Sequence, residues 1–146
     1  MILKSIKLVA ILLVGFSSQV GLAHNSPKGV VEQFLSLDFN GARLSSSGYI
    51  GVEKLVNTID SEPGWDSVKV TKEYIVKSVK NISDNTTNVE VEYQFSGIFT
   101  DKKFEYEDSN SIYVFHLEYS DGQWRIQNIP PYPRVGSREL NDFLLD

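Results

Sequence analysis

The stretch SIYVFHLEYSDGQWRIQNI, residues 111–129, decides the fold. Tyr113, Phe115, Leu117 and Tyr119 alternate with the polar His116 and Glu118, and Trp124 and Ile126 alternate with Arg125 and Gln127. A period of two is that of a strand buried on one face only. Between the two runs stands Asp121-Gly122, a pair that adopts positive φ at both central positions of a tight hairpin at low cost. Strands over Ser111–Ser120 and Gln123–Ile129 are therefore expected to pair antiparallel.

Moving toward the amino terminus, the same texture recurs. In Asn88–Phe99 the residues Val89, Val91, Tyr93, Phe95 and Phe99 share one parity, and Glu90, Glu92, Gln94 and Ser96 the other. Val68–Ile82 is less regular, with Val68, Val70, Tyr74 and Val76 on one side but Ile75 and Val79 on the other. An extra residue in one strand resets parity, so a bulge is predicted there, as a strongly curved sheet requires. Turns are expected over 83–86 and in the charged segment 101–110, and Pro130, Pro131 and Pro133, lacking amide donors, end the sheet.

Ahead of the strands, Ser26-Pro27 opens a helix: serine caps the free amides, and proline fits the first turn without losing a needed donor. Val30, Phe34 and Leu37, joined by Val31, Leu35 and Leu44, form its apolar face, and Gly41 stops it. A second helix is predicted over Tyr49–Ile59 through Val52, Leu55, Val56 and Ile59, broken by Glu62-Pro63-Gly64. Residues 137–146 form a short carboxy-terminal helix or tail. The expected architecture is α+β: amino-terminal helices packed on a strongly curved four-stranded antiparallel sheet, a cone with a cystatin-like layout, spanning residues 24–136.

Residues 1–23 set the compartment. Lys4 and Lys7 precede an apolar run from Leu8 to Phe16, and Gly21 and Ala23 supply the small residues a signal peptidase accepts. The run is shorter than the roughly 20 residues needed to span a bilayer, so the reading is a cleaved signal and a periplasmic or secreted domain without a stable membrane anchor. The chain has no cysteine, which excludes a lipid-anchored lipoprotein and leaves stability to packing and hydrogen bonds. Its formal net charge is −5; nucleic acid is a poor match, because phosphate binding needs clustered Lys and Arg.

Taken together, GVVEQFLSLDFNGARLS at the start and YVFHLEYSDGQWRIQNI at the end resemble the nuclear transport factor two superfamily over roughly Pro27 to Ile129. That resemblance implies a cone-shaped fold shared with ketosteroid isomerases and polyketide cyclases. Ketosteroid isomerases work with an aspartate base and with a tyrosine and a protonated aspartic acid as oxyanion donors. Here Ala42 follows Gly41, where the family often has an acidic residue.

Such chemistry needs an inward titratable group. The inward strand positions offer Tyr93, Tyr113 and Tyr119 but no Asp, Glu or His. Asp38, between Leu37 and Phe39, is the remaining carboxylate and the candidate base, with Tyr49 as a candidate donor; the competing reading is a boundary or surface aspartate. Tyr93, Tyr113, Phe115 and Trp65 are the candidate ligand-binding residues, Trp65 guarding the mouth. His116, with Glu118 and Arg125 near it, reads as solvated, and His24 as the mature amino terminus. Asp101, Glu105, Glu107 and Asp108 lack the alternating ligands and glycine turn of a calcium loop, so no metal and no cofactor is expected. Asn81-Ile82-Ser83 and Asn85-Thr86-Thr87 read as turn residues rather than glycan acceptors.

The function expected is an exported, non-enzymatic binding domain whose apolar cone or groove takes a small apolar molecule or a protein partner. Two alternatives stand beside it. One is an isomerase- or cyclase-type enzyme with Asp38 as base and Tyr49, Tyr93 or Tyr113 as donors. The other is an assembly subunit, a homodimer through a sheet face carrying Glu90, Glu92, Lys69, Lys77 and Arg125.

Overall fold

Ser26 caps the first helix, α1 (Pro27–Phe39): its Oγ accepts from the Gly29 amide at 3.0 Å, with proline inside the first turn. The structure, a computed structural model, describes residues 25–57 and 66–145. The expected export signal, His24, Ile59, the break at 62–64 and Trp65 lie outside these residues. After α1, Gly41 turns the chain at φ 82° into a 3-10 turn, Ala42–Leu44. Leu44 thus leaves the first helical face, where its spacing had placed it, and packs with Val68, Val70, Val135 and Leu140.

Helix α2 (Ser46–Glu53) starts and stops earlier than the predicted Tyr49–Ile59. Ser45 Oγ accepts from the Gly48 amide at 3.1 Å and fixes the start. The early stop has a tertiary cause: Leu55 O accepts from Ile126 N at 2.8 Å and Asn57 N donates to Ile126 O at 2.9 Å, so this segment runs beside the sheet. Leu55 and Val56 are buried as the apolar pattern requires, but in a turn and a bridge to Ile126 rather than in the helix.

The sheet contains β1 (Ser67–Ser83), β2 (Thr86–Thr100), β3 (Lys103–Ser120), β4 (Gln123–Ile126) and β5 (Arg134–Gly136), in the order β4-β3-β2-β1-β5. It is a strongly curled, mixed five-stranded half-barrel, which corrects the expected four antiparallel strands. β4 ends at Ile126, before the prolines and short of the expected Ile129; Pro133 then gives its carbonyl to Lys69 N at 2.9 Å, and Arg134–Gly136 pair parallel with Lys69–Thr71. Proline lacks a donor, not an acceptor, so it launches this edge strand. Helix α3 (Ser137–Leu145) follows where it was predicted.

Asp121 and Gly122 take φ 53° and 77°, and β3 and β4 pair antiparallel across them. The β2–β3 turn is equally tight but built on Asp101 and Lys102, at φ 48° and 64°. Its shortness makes the charged segment 103–110 strand rather than loop: both its faces are wet, and it is ordered by pairing with β2 and by ion pairs from Glu107 and Asp108 to Lys69 and Lys72 of β1.

The predicted irregularity of β1 is a series of bulges. Val76 opposes Val91 and Val79 opposes Val89, with Lys77 skipped, so Val76 and Val79 share a face while Ile75 opposes Glu92. A second set crosses three strands: Lys72 on β1, Ser96 on β2, and Glu107 and Asp108 on β3 have no residue opposite. At this crease a Cβ on Gly97 would lie 2.3 Å from the Glu105 carbonyl oxygen, so only glycine lets the strands close. The main core fills the hollow of the curl with Val31, Phe34 and Leu35 of α1, Val52 of α2, and Val89, Val91, Tyr93, Phe95, Phe115 and Leu117 of the sheet.

Candidate functional site

On α1, Val31, Phe34, Leu35 and Asp38 occupy one buried stripe. Asp38 is only 1% exposed, so it is neither a surface nor a boundary residue. Its partner comes from the 3-10 turn five residues on. Arg43 donates from Nε to Oδ1 and from Nη2 to Oδ2, both at 2.8 Å. The same guanidinium donates to the carbonyls of Pro130 and Tyr132, each at 2.7 Å, and Asp38 Oδ2 also accepts from Arg134 N at 3.2 Å. A carboxylate that already accepts three N–H bonds in a dry setting, two of them from a guanidinium, is poorly placed to take a substrate proton as a general base.

This clasp delivers Arg134. The guanidinium lies 4.1 Å from the centre of the Tyr93 ring, 5.0 Å from Tyr113 and 5.4 Å from Phe95. Tyr93 and Phe95 stack at 5.7 Å and form a flat floor. Lys69, the register partner of Arg134, puts its Nζ 5.4 Å from the Phe95 centre and bonds Glu107 at 3.1 Å. Lys69 thus belongs to the inward side, not to the charged outer face where the alternation had put it; Lys77 and Glu92, paired at 3.1 Å, do lie together there.

Burial pushes the Tyr93 hydroxyl well above its usual pKa, with the nearby Arg134 charge pulling it partway back. Tyr113 moves up for the same reason, and burial lowers Arg134. Tyr93 and Arg134 thus feel one another, yet neither the Tyr93 hydroxyl nor the enclosed Arg134 Nη1 has a well-formed hydrogen bond among the described residues. None of the ion pairs among those residues includes Arg134. A buried cation without an acid beside it is costly, and such perturbed groups gather at functional sites.

Other expected site residues fall differently. Phe115 is sealed in the core, edge-on to Phe34 at 5.5 Å and to Tyr113 at 4.8 Å, so it supports the floor from beneath. Tyr49 is buried on α2 within the same core and is not at the mouth. Tyr93 is 1% exposed and Tyr113 half-buried, so Tyr113 is the accessible ring. Tyr119 is exposed and leans on Trp124 at 5.4 Å. His116 is exposed, its Nδ1 2.7 Å from Asn88 Oδ1. No group of three or more metal-ligating side chains occurs among the described residues.

No family model matches the chain, and no curated protein matches it at a significant level of similarity.

Alternation had found Tyr93 and Tyr113, and Asp38 had been singled out as a candidate base, but its burial and its partners Arg43 and Arg134 were not read from the sequence. A signal for the first was present: Val31, Phe34, Leu35 and Asp38 follow helical spacing as well as Leu37 does. Arg134, beyond three prolines, carried no periodic signal. Of the described hollows, one of about 240 Å³ lies between α3 and the β2–β3 turn against Phe99, Phe104 and Leu140. Another, about 470 Å³ and open, lies at Ile82 and Trp124. Neither involves the aromatic floor. No helix among the described residues is long and apolar enough to cross a membrane.

Proposed function

We propose that this is an exported, non-enzymatic binding domain of the nuclear transport factor two-like type, which takes a small ligand at the mouth of its cone. The observation that carries the reading is the engagement of both Asp38 oxygens by Arg43 and of one by the Arg134 amide. With that carboxylate engaged, the inward polar groups are tyrosine hydroxyls held neutral by burial and two cations, Lys69 and Arg134. Such groups recognise and orient; the two buried tyrosines are poorly suited to exchange protons near neutral pH. The helical entry followed by a curled sheet supports the superfamily placement, with β5 as an addition at the β1 edge.

Native mass spectrometry of the protein purified from its source tests the reading. A small molecule retained at unit stoichiometry, and lost in a Tyr113→Ala variant, is the expected result. Retention that survives Tyr113→Ala, or turnover of the bound compound that stops in Asp38→Asn, would count against it.

A further inference from the structure

Resting on that binding reading, we infer that the mouth of the cone is an anion site for a small carboxylic acid with a flat apolar body, in which Arg134 holds the carboxylate. Three observations converge on it. The guanidinium is positioned rather than loose: the residue's backbone amide is tied to Asp38, and its Cζ lies over the Tyr93 ring with Tyr113 and Phe95 around it. The charge has no carboxylate of its own among the described residues, because the nearest acid, Asp38, is already bonded through both oxygens to Arg43. Two enclosed polar atoms, Arg134 Nη1 and the Tyr93 hydroxyl, have no hydrogen bond of good geometry, and the two side chains interact only loosely with one another; the tyrosine is 99% buried, so water does not satisfy it cheaply.

The ligand class follows from what is left unsatisfied. A planar guanidinium with a donor to spare matches a carboxylate, and the fork geometry makes that match stronger than a neutral hydrogen bond. A single carboxylate fits better than a phosphate dianion, since the second cation, Lys69, is already bonded to Glu107. The half-buried Tyr113 offers a flat apolar wall beside the guanidinium, backed by the sealed Tyr93 and Phe95 rings beneath it, which suits an aromatic or similarly planar body. Tyr113 is the wall that yields to admit the ligand, being the more exposed of the two tyrosines beside Arg134.

The test titrates the protein with 2-naphthoate and with its uncharged counterpart 2-naphthalenemethanol, read by calorimetry and by NMR shifts of Arg134 Nε–H and the Tyr93 and Tyr113 rings. The expected result is at least about tenfold tighter binding of the acid, with the Arg134 signal moving. Arg134→Gln should bind acid and alcohol alike, Arg134→Lys should keep part of the preference, and Lys69→Gln should change it less than Arg134→Gln does. Equal affinity of the wild-type protein for the two compounds overturns the anion site while leaving a binding cone. Binding of neither overturns the anion site and counts against the cone as well. If Arg134→Gln does not fold, the wild-type preference and the Arg134 shift still decide: an Arg134 signal that stays put when the acid binds overturns the inference.

Discussion

Arg43 meets Asp38 with two parallel hydrogen bonds of 2.8 Å and spends its other contacts on the carbonyls of Pro130 and Tyr132, so one guanidinium pins the far end of the chain to the first helix. The pair is buried on both sides, at 6% and 2% side-chain exposure. Removing one partner of such a pair strands the other charge, whereas replacing both with apolar groups need not be costly.

Asp38→Ala is therefore expected to lose about 3–5 kcal/mol of stability, measured by urea unfolding. Arg43→Met should lose a similar amount, and the Asp38→Leu, Arg43→Met double variant should lose clearly less than the two single changes added together. Additive losses would mean that the two residues act independently.

Arg134 should behave in the opposite way. Its burial is a cost that no ion pair among the described residues offsets, while its contacts with the rings return part of that cost. Arg134→Met should stay within about 1 kcal/mol of wild type in the same assay. A loss as large as that from Asp38→Ala would mark Arg134 as part of the scaffold.

Much of this architecture could be read from residues acting locally. The cap at Ser26, the Asp121-Gly122 hairpin, the inward parity of Val89 to Phe95 and the helix over 137–145 all rest on neighbours within a few positions. The bulge in β1 was legible because two parities conflicted within one strand. What escaped depended on distant partners. Asp38 is buried because Arg43 and the chain near Pro130 come to it, and β5 exists because Lys69 and its neighbours offer an open edge. The charged run 103–110 carries only a short alternation, Phe104 and Tyr106, both exposed, and its pairing with β2 makes it strand.

Gly97→Ala should destabilise by about 1–3 kcal/mol, because the new methyl meets the Glu105 carbonyl and the Phe104 ring at the crease. Adding Phe104→Ala should recover only part of the loss, since the carbonyl is backbone. Thermal unfolding of the two variants side by side checks this, and full recovery would assign the clash to the ring alone.

Lys102 holds φ 64° in a two-residue turn, a conformation that costs a residue with a Cβ. Lys102→Gly should stabilise by about 0.5–1 kcal/mol, whereas Gly122→Ala, at φ 77°, should destabilise by a similar amount. Denaturation midpoints of both variants read the two signs directly.

Tyr93 and Tyr113 are shifted upward from their ordinary value of 10.0 by burial. Between the unfolded and the raised folded pKa the native state holds more protons than the unfolded one, so stability falls as pH rises. Stability should be insensitive to these groups below about pH 10 and decline above it, with Tyr93→Phe reducing the slope. A Tyr93→Phe profile that overlays wild type at alkaline pH would sink this assignment.

The parallel seating of β5 also fixes an order of assembly. Tyr93 and Phe95 are in place once β1, β2 and β3 have paired, but the cation that roofs them belongs to a strand made after all of these. A nascent chain therefore carries a bare aromatic shelf until its last segment docks. During that interval the shelf is open to wrong association, and the Asp38–Arg43 latch, which holds the chain at Pro130 and Tyr132, brings it to a close.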